Sequence, residues 1–316
     1  MRKTLRRALI AFVLPLLVVM PRAWGWGSPG HMAVAYVAYQ KLDPAIKTRV
    51  QQLLKLNPNY SVWQAYIPAG TSQDDTDLYL FMMAATWPDE IKAISAYKND
   101  GDSPPANATQ ANSNVGYSDK FMHKYWHFVD LPISPDNTAP ADTPTPNAET
   151  QINVFRKVLA SNATDALKSY DLVWTMHLVG DVHQPLHCAT RFIGSKSDGG
   201  GNDVVISASP KDLHGYWDSL PGLGGTKNFS TAVKFASTLP AADATKADDT
   251  KVDDWVQESF ALAQSDAYAK PPINDTDPTT SSTITASYHT KALADAKLRV
   301  ALGGARLAKL LNTNLK

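Results

Sequence analysis

The sequence has 316 residues with 30 lysines and arginines against 30 aspartates and glutamates, so its formal net charge is zero. This balance excludes a uniformly basic surface, on which a protein that holds polyanions by charge alone would depend. The single cysteine, Cys188, excludes an intramolecular disulfide framework.

The first 25 residues have the pattern of a secretory signal peptide. Basic residues precede Ala8, an apolar run extends from there to Met20, and small residues stand at Ala23 and Gly25. The run is too short to span a bilayer comfortably, and an uncleaved amino-terminal anchor is the alternative interpretation. Cleavage after Gly25 would leave 25 basic against 30 acidic side chains. We therefore expect a secreted or periplasmic protein that begins at Trp26 with a negative net charge.

Helical periodicity dominates the rest of the sequence. Apolar residues at helical spacing predict helices in the segments 32–56, 77–85, 151–159, 172–182, 252–267 and 288–311. Polar loops rich in proline or glycine separate them at 99–116, 132–146, 221–226 and 271–282, and residues 204–206 are the best strand candidate. No βαβ alternation is present in the sequence. We predict a single all-α domain over residues 26–316, mainly helical, with long loops and at most a small β-hairpin.

Two histidine–aspartate pairs share a four-residue spacing, His177 with Asp181 and His214 with Asp218. On a helix this spacing places both side chains on one face, close enough to share an ion. His187 follows the first pair closely. Imidazole and carboxylate groups without a competing thiolate are a ligand set suited to zinc. Burying Asp181 in an apolar helix is costly unless it is paired or coordinated, and an internal His–Asp ion pair is the alternative.

Three further segments carry candidate ligands. His127 lies in the aromatic, apolar segment 125–130, and Asp89 ends an apolar run. Trp26 would begin the mature chain five residues before His31. A free α-amino group has a pKa near ~8, so it can lose its proton and bind a metal. The amino nitrogen and carbonyl oxygen of Trp26 could therefore chelate an ion together with His31, provided that residues 1–25 are removed.

These motifs together resemble the S1/P1 nuclease family (type I nucleases), zinc-dependent single-strand nucleases and 3′-nucleotidases whose helical fold is shared with zinc phospholipase C. In order, the chain has W-G-x-x-G-H, W-x-D, H-F-x-D, H-x-x-G-D-x-x-Q-P-L-H and G-G-N followed by H-x-x-x-D. The resemblance implies three zinc ions. The implied ligands are Asp89, His127, His177 and Asp181 for the first, Trp26 and His31 with bridging Asp181 for the second, and His187, His214 and Asp218 for the third.

Further roles are implied by the same resemblance. Lys92 lies where family members commonly carry a basic residue that contacts the phosphate, and Asp89 would orient a hydroxide shared by two zinc ions. The third zinc would stabilise the leaving 3′-oxyanion, which gives 5′-phosphate products. Phe128 and Asn202 lie where the family stacks and hydrogen-bonds a nucleobase, and Asp130 would join that contact. Ordinary packing is the alternative for Phe128.

Two features depart from the family pattern, and three histidines lie outside it. Fungal and plant members have disulfides, whereas this chain has one cysteine. Gly199 stands where a larger residue could form a second wall of the base site. We interpret His183 as lying beside a ligand or in solvent, and His289 as structural. His123 is expected either to orient His127 or to be exposed.

Two other functions are weighed against a nuclease. A zinc phospholipase C would use the same fold, but we would then expect glutamate in place of Asp218, and Asn202 suits a base edge better than choline. A structural zinc protein would have closed sites with four protein ligands, whereas the third set has three. We therefore predict a hydrolase of ester bonds that acts on single-stranded DNA, RNA and 3′-nucleotides. We expect it to be a monomer with no membrane span in its mature form.

Overall fold

The computed structural model describes residues 26–105, 112–134, 137, 142–223, 229–269, 273 and 280–315. The signal peptide expected over residues 1–25 lies outside the described residues, as do parts of the loops expected at 99–116, 132–146, 221–226 and 271–282. Within the described part, helices make up most of the regular structure and strands very little. The prediction of a mainly α-helical fold is confirmed.

The α-helices of the described residues are α1 (Ser28–Gln40), α2 (Pro44–Leu54), α3 (Tyr60–Gln64), α4 (Gln73–Ala84), α5 (Trp87–Glu90), α6 (Ala148–Leu159), α7 (Asp165–Asp181), α8 (Leu213–Asp218), α9 (Phe229–Ala236), α10 (Ala244–Asp248), α11 (Val252–Leu262) and α12 (Ala286–Asn314). Short 3₁₀ turns lie at Ile91–Ala93, Gly116–Ser118, Lys124–His127 and Pro185–His187, and a π-helical turn at Ala263–Ala267 follows α11. Among these helices, none is both long and apolar enough to cross a membrane.

The segment 32–56, which the sequence suggests as one helical face, forms two helices. α1 ends at Gln40 and α2 begins at Pro44. A proline inside a helix would remove a backbone hydrogen bond and clash with the preceding turn, whereas at the first helical position its missing N–H has no cost. Asp43 stands before it as an extended N-cap. The apolar residues of segment 32–56 are therefore divided between α1 and α2.

Helices α1 and α7 lie at the centre of the molecule. α1 packs against α12, α9 and α4, while α7 packs on α6. Every α7 side chain from Lys168 to Asp181 is buried. The approach of α12 to α1 depends on Gly304, because a Cβ there would lie 2.5 Å from the Cβ of Val37. Any ionisable group that α7 carries is therefore held in a dry and closely packed environment.

The small sheet has three short strands. β1 (Pro132–Ile133) pairs in parallel with β2 (Thr190–Ile193), and β2 pairs in antiparallel fashion with β3 (Lys196–Ser197). The β2–β3 pair fits the expectation of a small hairpin. The prediction of a strand at residues 204–206 is wrong. Val205 and Ile206 form only isolated bridges. The chain turns back at once, since the Ile206 N–H donates to the Lys211 carbonyl at 2.9 Å.

Candidate metal centre

Three groups of histidine and aspartate side chains meet at the carboxyl end of α7. Within each group the potential ligand atoms lie within 4.8 Å of one another. All eight side chains are among the ligands that the sequence analysis names, and seven of them are buried. The groups are His31, His177 and Asp181; Asp89, His127 and His177; and His187, His214 and Asp218.

Helix α7 supplies the two side chains at the centre of the cluster. His177 and Asp181 lie one turn apart on the same face, as their spacing predicts. The ring of His31 from α1 stacks on the His177 ring at a centroid distance of 3.8 Å. Gly180 makes room for it, because a Cβ at that position would lie 2.7 Å from His31 Nδ1. A glycine between His177 and Asp181 thus allows the His31 ring to approach from α1.

The two carboxylate oxygens of Asp181 face different histidines. Oδ2 lies 3.0 Å from His127 Nδ1 and 3.3 Å from His177 Nε2. Oδ1 lies 3.4 Å from His31 Nε2 and 3.6 Å from His187 Nδ1. A carboxylate with one oxygen toward each of two ligand groups has the arrangement that a bridging ligand requires.

Backbone carbonyls fix the protonation of three imidazoles. The Nδ1 atoms of His177, His187 and His214 lie 2.7–2.8 Å from the carbonyl oxygens of residues 85, 127 and 200. A carbonyl can only accept, so each Nδ1 carries the proton and donates it. Each Nε2 therefore presents a lone pair to the cluster. Hydrogen bonds of this kind orient the histidines of protein metal sites.

The third group is drawn together by α8 and the turn before it. His187 Nε2 and His214 Nε2 lie 3.2 Å apart, and His214 Nε2 lies 3.5 Å from Asp218 Oδ2. Gln184 donates through Nε2 to Asp218 Oδ1 at 2.8 Å, and its Oε1 accepts from the Leu186 N–H. One amide side chain thereby orients a carboxylate and closes the turn that carries His187.

Burial controls the charge of the cluster. It lowers the pKa of all five imidazoles, that of His31 to about 4. It also raises the pKa of Asp181 and of Asp218 well above the usual range of aspartate. Neutral imidazoles have lone pairs available to a cation, and a cation would stabilise the ionised carboxylates.

The donor set fits a metal ion by its chemistry. Asp181 Oδ1, Asp218 Oδ2 and both ring nitrogens of His31 are buried and have no hydrogen-bond partner among the described residues. Buried polar atoms are normally paired. The facing Nε2 lone pairs of His187 and His214 likewise repel each other unless a proton or a cation lies between them. Nitrogen and carboxylate donors in this arrangement match the preferences of zinc.

Asp89 and Lys92 lie at the edge of the cluster that reaches solvent. The Asp89 side chain is 24% exposed, whereas that of Asp181 is fully buried. The Oδ1 atom of Asp89 lies 3.7 Å from His177 Nε2 and accepts a hydrogen bond from Lys92 Nζ at 2.6 Å. α5 is one turn long and the 3₁₀ turn follows directly, so both side chains point to one side. An anion that enters here would meet a lysine beside a carboxylate.

The residues expected at the base site surround the third group. The half-buried Phe128 ring lies 4.8 Å from the His187 ring and 6.1 Å from the His214 ring. Asn202 donates from Nδ2 to the Gly199 carbonyl at 2.7 Å, in the turn that also contacts His214. Gly199 has a φ of +60°, where glycine is favoured, and leaves the expected second wall open among the described residues.

Asp130 belongs to the same segment and is partly buried. Its burial, followed by the negative charge of Asp198, raises the pKa of Asp130 to about 6. Trp26 is buried as well, and the next residue, Gly27, donates its N–H to the Asp218 carbonyl at 3.0 Å. The start of the described chain is therefore tied to the helix that carries His214 and Asp218.

Comparison with known proteins assigns this arrangement to a family. The family model described as S1/P1 Nuclease matches residues 26–316. The chain belongs to the S1/P1 nuclease family. It is similar to Nuclease S1 of Aspergillus oryzae, with 25% identity over 248 residues that cover 76% of this chain and 70% of the relative. As a nuclease, the protein is a hydrolase of phosphodiester bonds.

Two plant relatives extend the similarity. Endonuclease 3 of Arabidopsis thaliana is 24% identical over 323 residues, which cover 97% of this chain and 94% of the relative. Endonuclease 5 of the same plant is 26% identical over 220 residues. That match covers 68% of this chain and 62% of Endonuclease 5, which is less than two thirds of its length.

Two histidines outside the cluster contact other parts of the fold. His183 is buried, donates from Nδ1 to the Val179 carbonyl at 2.7 Å and lies 3.1 Å from Arg306 Nη1 on α12. It is therefore not a solvent residue. His289 lies 2.7 Å from the Tyr216 hydroxyl through Nδ1.

The expectations for His123 are both wrong, because it is buried and faces two aspartates instead of His127. Its Nε2 lies 2.7 Å from Asp119 Oδ2, and its Nδ1 lies 3.1 Å from Asp100 Oδ2 and from the Tyr125 hydroxyl. Its ring stacks on Trp126 at 3.7 Å. Burial lowers the pKa of His123, but the hydrogen bonds to the two aspartates outweigh burial and raise it above 6.5.

Several residues that support the site were not identified from the sequence. Gln184 stands between Asp181 and His187 inside the motif H-x-x-G-D-x-x-Q-P-L-H, and that position was the available signal. Thr190 and Asp198 had no such signal. Both side chains accept hydrogen bonds from the glycine turn at residues 199–201. Residue spacing along the sequence does not reveal these contacts.

The charge of His123 makes a pH-dependent contribution to stability. With a raised folded pKa, the contribution is complete below the unfolded value of about 6.5 and is lost as the pH rises through the folded value. The contribution also requires ionised Asp100. Because the pKa of Asp100 is lowered, that carboxylate is protonated, and the contribution lost, only at acidic pH. We expect His123→Gln to reduce the free energy of unfolding by about 1–3 kcal/mol near pH 6 and by less at pH 8.5.

Urea unfolding of both proteins across this range, at one fixed zinc concentration, gives the comparison. The wild type is the control for the pH dependence of metal binding, which cancels in the difference. A difference that grows with rising pH would contradict a charged His123.

Proposed function

We propose that this nuclease is an exported zinc-dependent endonuclease that cleaves single-stranded DNA and RNA to 5′-phosphate products and also removes the phosphate of 3′-nucleotides. Its mature form would begin at Trp26, after removal of residues 1–25, and act as one monomeric domain over residues 26–316. The observation that carries the proposal is the position of Asp181, whose two oxygens face separate groups of histidines in a member of this family.

The ligands of three zinc ions are proposed accordingly. Asp89, His127, His177 and Asp181 would hold the first ion. Trp26, through its amino nitrogen and carbonyl oxygen, would hold the second together with His31 and the other oxygen of Asp181. His187, His214 and Asp218 would hold the third. The orphaned polar atoms of His31, Asp181 and Asp218 support these sets, because each would gain the partner that burial demands.

Asp89 and Lys92, at the solvent edge of the cluster, would be the protein side chains that act on water and phosphate. When bound, zinc would supply positive charge to the phosphate and lower the pKa of water toward ~7. Asp89, the most exposed of the three carboxylates, would accept a hydrogen bond from the attacking water and orient it. Lys92 would turn from Asp89 toward a phosphate oxygen and offset charge that develops there.

The preference for single strands would come from the surroundings of the third group. Phe128 packs against His187 and is partly exposed, so an unpaired base would stack on the solvent-exposed side of its ring. Asn202 and Asp130 would then meet the edge of that base. A base in a duplex must first leave its stack, which costs a few kcal/mol. The mature chain would be acidic, so attraction of the substrate would depend on the metal cluster rather than on the whole surface.

A substrate panel tests the proposed activity. Protein that begins at Trp26 is incubated with single-stranded DNA, RNA, duplex DNA, 3′-AMP and phosphatidylcholine, with and without a chelator, and its zinc is counted by mass spectrometry. We expect cleavage of both single strands and of 3′-AMP, slower cleavage of the duplex, and about three zinc ions per chain. Chelation should abolish every activity.

The matched control is a chain that begins at Gly25. One additional residue converts the Trp26 amine into an amide and should weaken one zinc site selectively. Hydrolysis of phosphatidylcholine alone would instead favour a phospholipase, and zinc without hydrolysis would favour a structural role.

The substitution Asp181→Asn tests the bridge. The amide keeps the volume but replaces one oxygen with an N–H₂ group that cannot bind a cation. Activity should fall by more than the roughly 10–100-fold typical of residues that only support ligands. The midpoint of thermal unfolding should fall as well, since zinc binding stabilises the folded state. Asp165→Asn, at the exposed start of α7, is the control. An active and fully stable Asp181→Asn protein would contradict the ligand assignment.

A further inference from the structure

We propose that Asp198, together with Arg191, is a positioning residue for the third ligand group. The two side chains fix the glycine turn at residues 199–201, and this turn holds His214. The inference rests on the proposed function, because His214 is assigned there to zinc. It adds two residues to which no role in this site follows from the family motifs.

Asp198 joins strand β2 to the glycine turn through one carboxylate oxygen. Its Oδ1 accepts from the backbone N–H of Arg191 at 3.0 Å and from that of Gly201 at 3.1 Å. The hydroxyl of Tyr268 donates to the same oxygen at 3.2 Å. The carboxylate is buried, so water does not compete for these bonds. Donors from three separate segments, β2, the glycine turn and the segment of Tyr268, therefore converge on one oxygen atom.

The glycine turn contacts His214 at both its ring and its backbone. The Gly200 carbonyl accepts from His214 Nδ1 at 2.8 Å, and the Gly201 carbonyl accepts from the His214 N–H at 3.3 Å. Gly200 is further fixed by its own N–H, which donates to Thr190 Oγ1 at 3.0 Å. A Cβ at Gly200 would lie 2.9 Å from the Leu186 carbonyl, so no larger residue fits. A displacement of the turn would therefore rotate the His214 imidazole.

Arg191 is the countercharge of Asp198: burial raises the pKa of this carboxyl, and the positive charge of Arg191 opposes that rise. Its Nε lies 3.3 Å from Asp198 Oδ2, and its guanidinium lies 4.8 Å from the centre of the Tyr268 ring. Arg191 is buried, yet its side-chain nitrogens form no geometrically good hydrogen bond with the described residues. A buried ion pair of this kind contributes little net stability compared with an apolar pair of similar volume. Its benefit is the fixed direction of the turn.

The effect should be confined to the third group. His177 is oriented by the Ala85 carbonyl and His187 by the His127 carbonyl. Neither contact involves β2 or the glycine turn. Loss of the Asp198–Arg191 pair should therefore loosen one ligand of one site and leave the ligands around Asp181 in position.

The test measures zinc binding site by site. Asp198→Asn retains an acceptor oxygen but places an N–H₂ group opposite Arg191, which removes the ion pair. Wild type and variant are titrated with a zinc chelator of graded strength, and bound zinc is counted at each step. We expect the weakest of three zinc ions to be lost at about 10–100-fold lower chelator strength in the variant, with the other two unchanged.

Two controls separate positioning from general destabilisation. Asp171→Asn makes the same substitution at a buried carboxylate of α7 that contacts Asn114, and it should leave all three affinities unchanged. Arg191→Met breaks the pair from the other side and should repeat the selective loss, also if Asp198→Asn fails to fold. Equal weakening of all three sites, or no weakening in either variant, would overturn the proposal.

A second readout does not depend on metal. In zinc-free protein, ¹⁵N chemical shifts of the His214 ring report which nitrogen carries the proton. Wild type should show protonated Nδ1, and Asp198→Asn should show a mixture of both forms. An unchanged shift in the variant would overturn the proposal. Absence of zinc from the wild type would overturn the proposed function, while these shifts would still decide whether Asp198 positions His214.

Discussion

The burial of the Asp181 carboxylate is the constraint on which the site depends. It sits at the end of a helix whose side chains are enclosed from Lys168 onward, and its oxygens face four imidazoles. An ionised carboxylate is expensive to remove from water unless positive charge compensates it. Burial also keeps the imidazoles neutral, so they cannot supply that charge. The negative charge of Asp181 is therefore best compensated by bound cations.

Ordinary secondary structure gives this centre its directions. The carbonyls that orient the histidines belong to the end of α4, a 3₁₀ turn and a glycine turn. Each lies where a backbone carbonyl has no helical or strand partner, so it is available to an imidazole. The ends of several elements are therefore used together, and α7 supplies the fixed reference around which they meet.

Local sequence patterns predicted the longer helices and the paired histidines and aspartates, but not several short helices or the long-range contacts. Four-residue spacing placed His177 beside Asp181 because a helix determines that geometry by itself. Pro44 itself indicates a break between two helices. The apolar residues keep helical spacing on both sides of it, however, and this spacing suggested one continuous helix. His123 was misassigned because its partners, Asp100 and Asp119, lie in loops whose approach no periodicity encodes. The meeting of His31 with His177 was expected only through the family resemblance.

Anomalous diffraction at the zinc absorption edge tests the central claim most directly. Crystals of the chain that begins at Trp26, grown with zinc, would be measured on both sides of the edge. The proposed assignment predicts three peaks: one between Asp89 and His127, one beside His31, and one between His187 and His214. Two of these peaks should lie on opposite oxygens of Asp181. Absence of peaks in this cluster, or peaks confined to surface histidines, would contradict it.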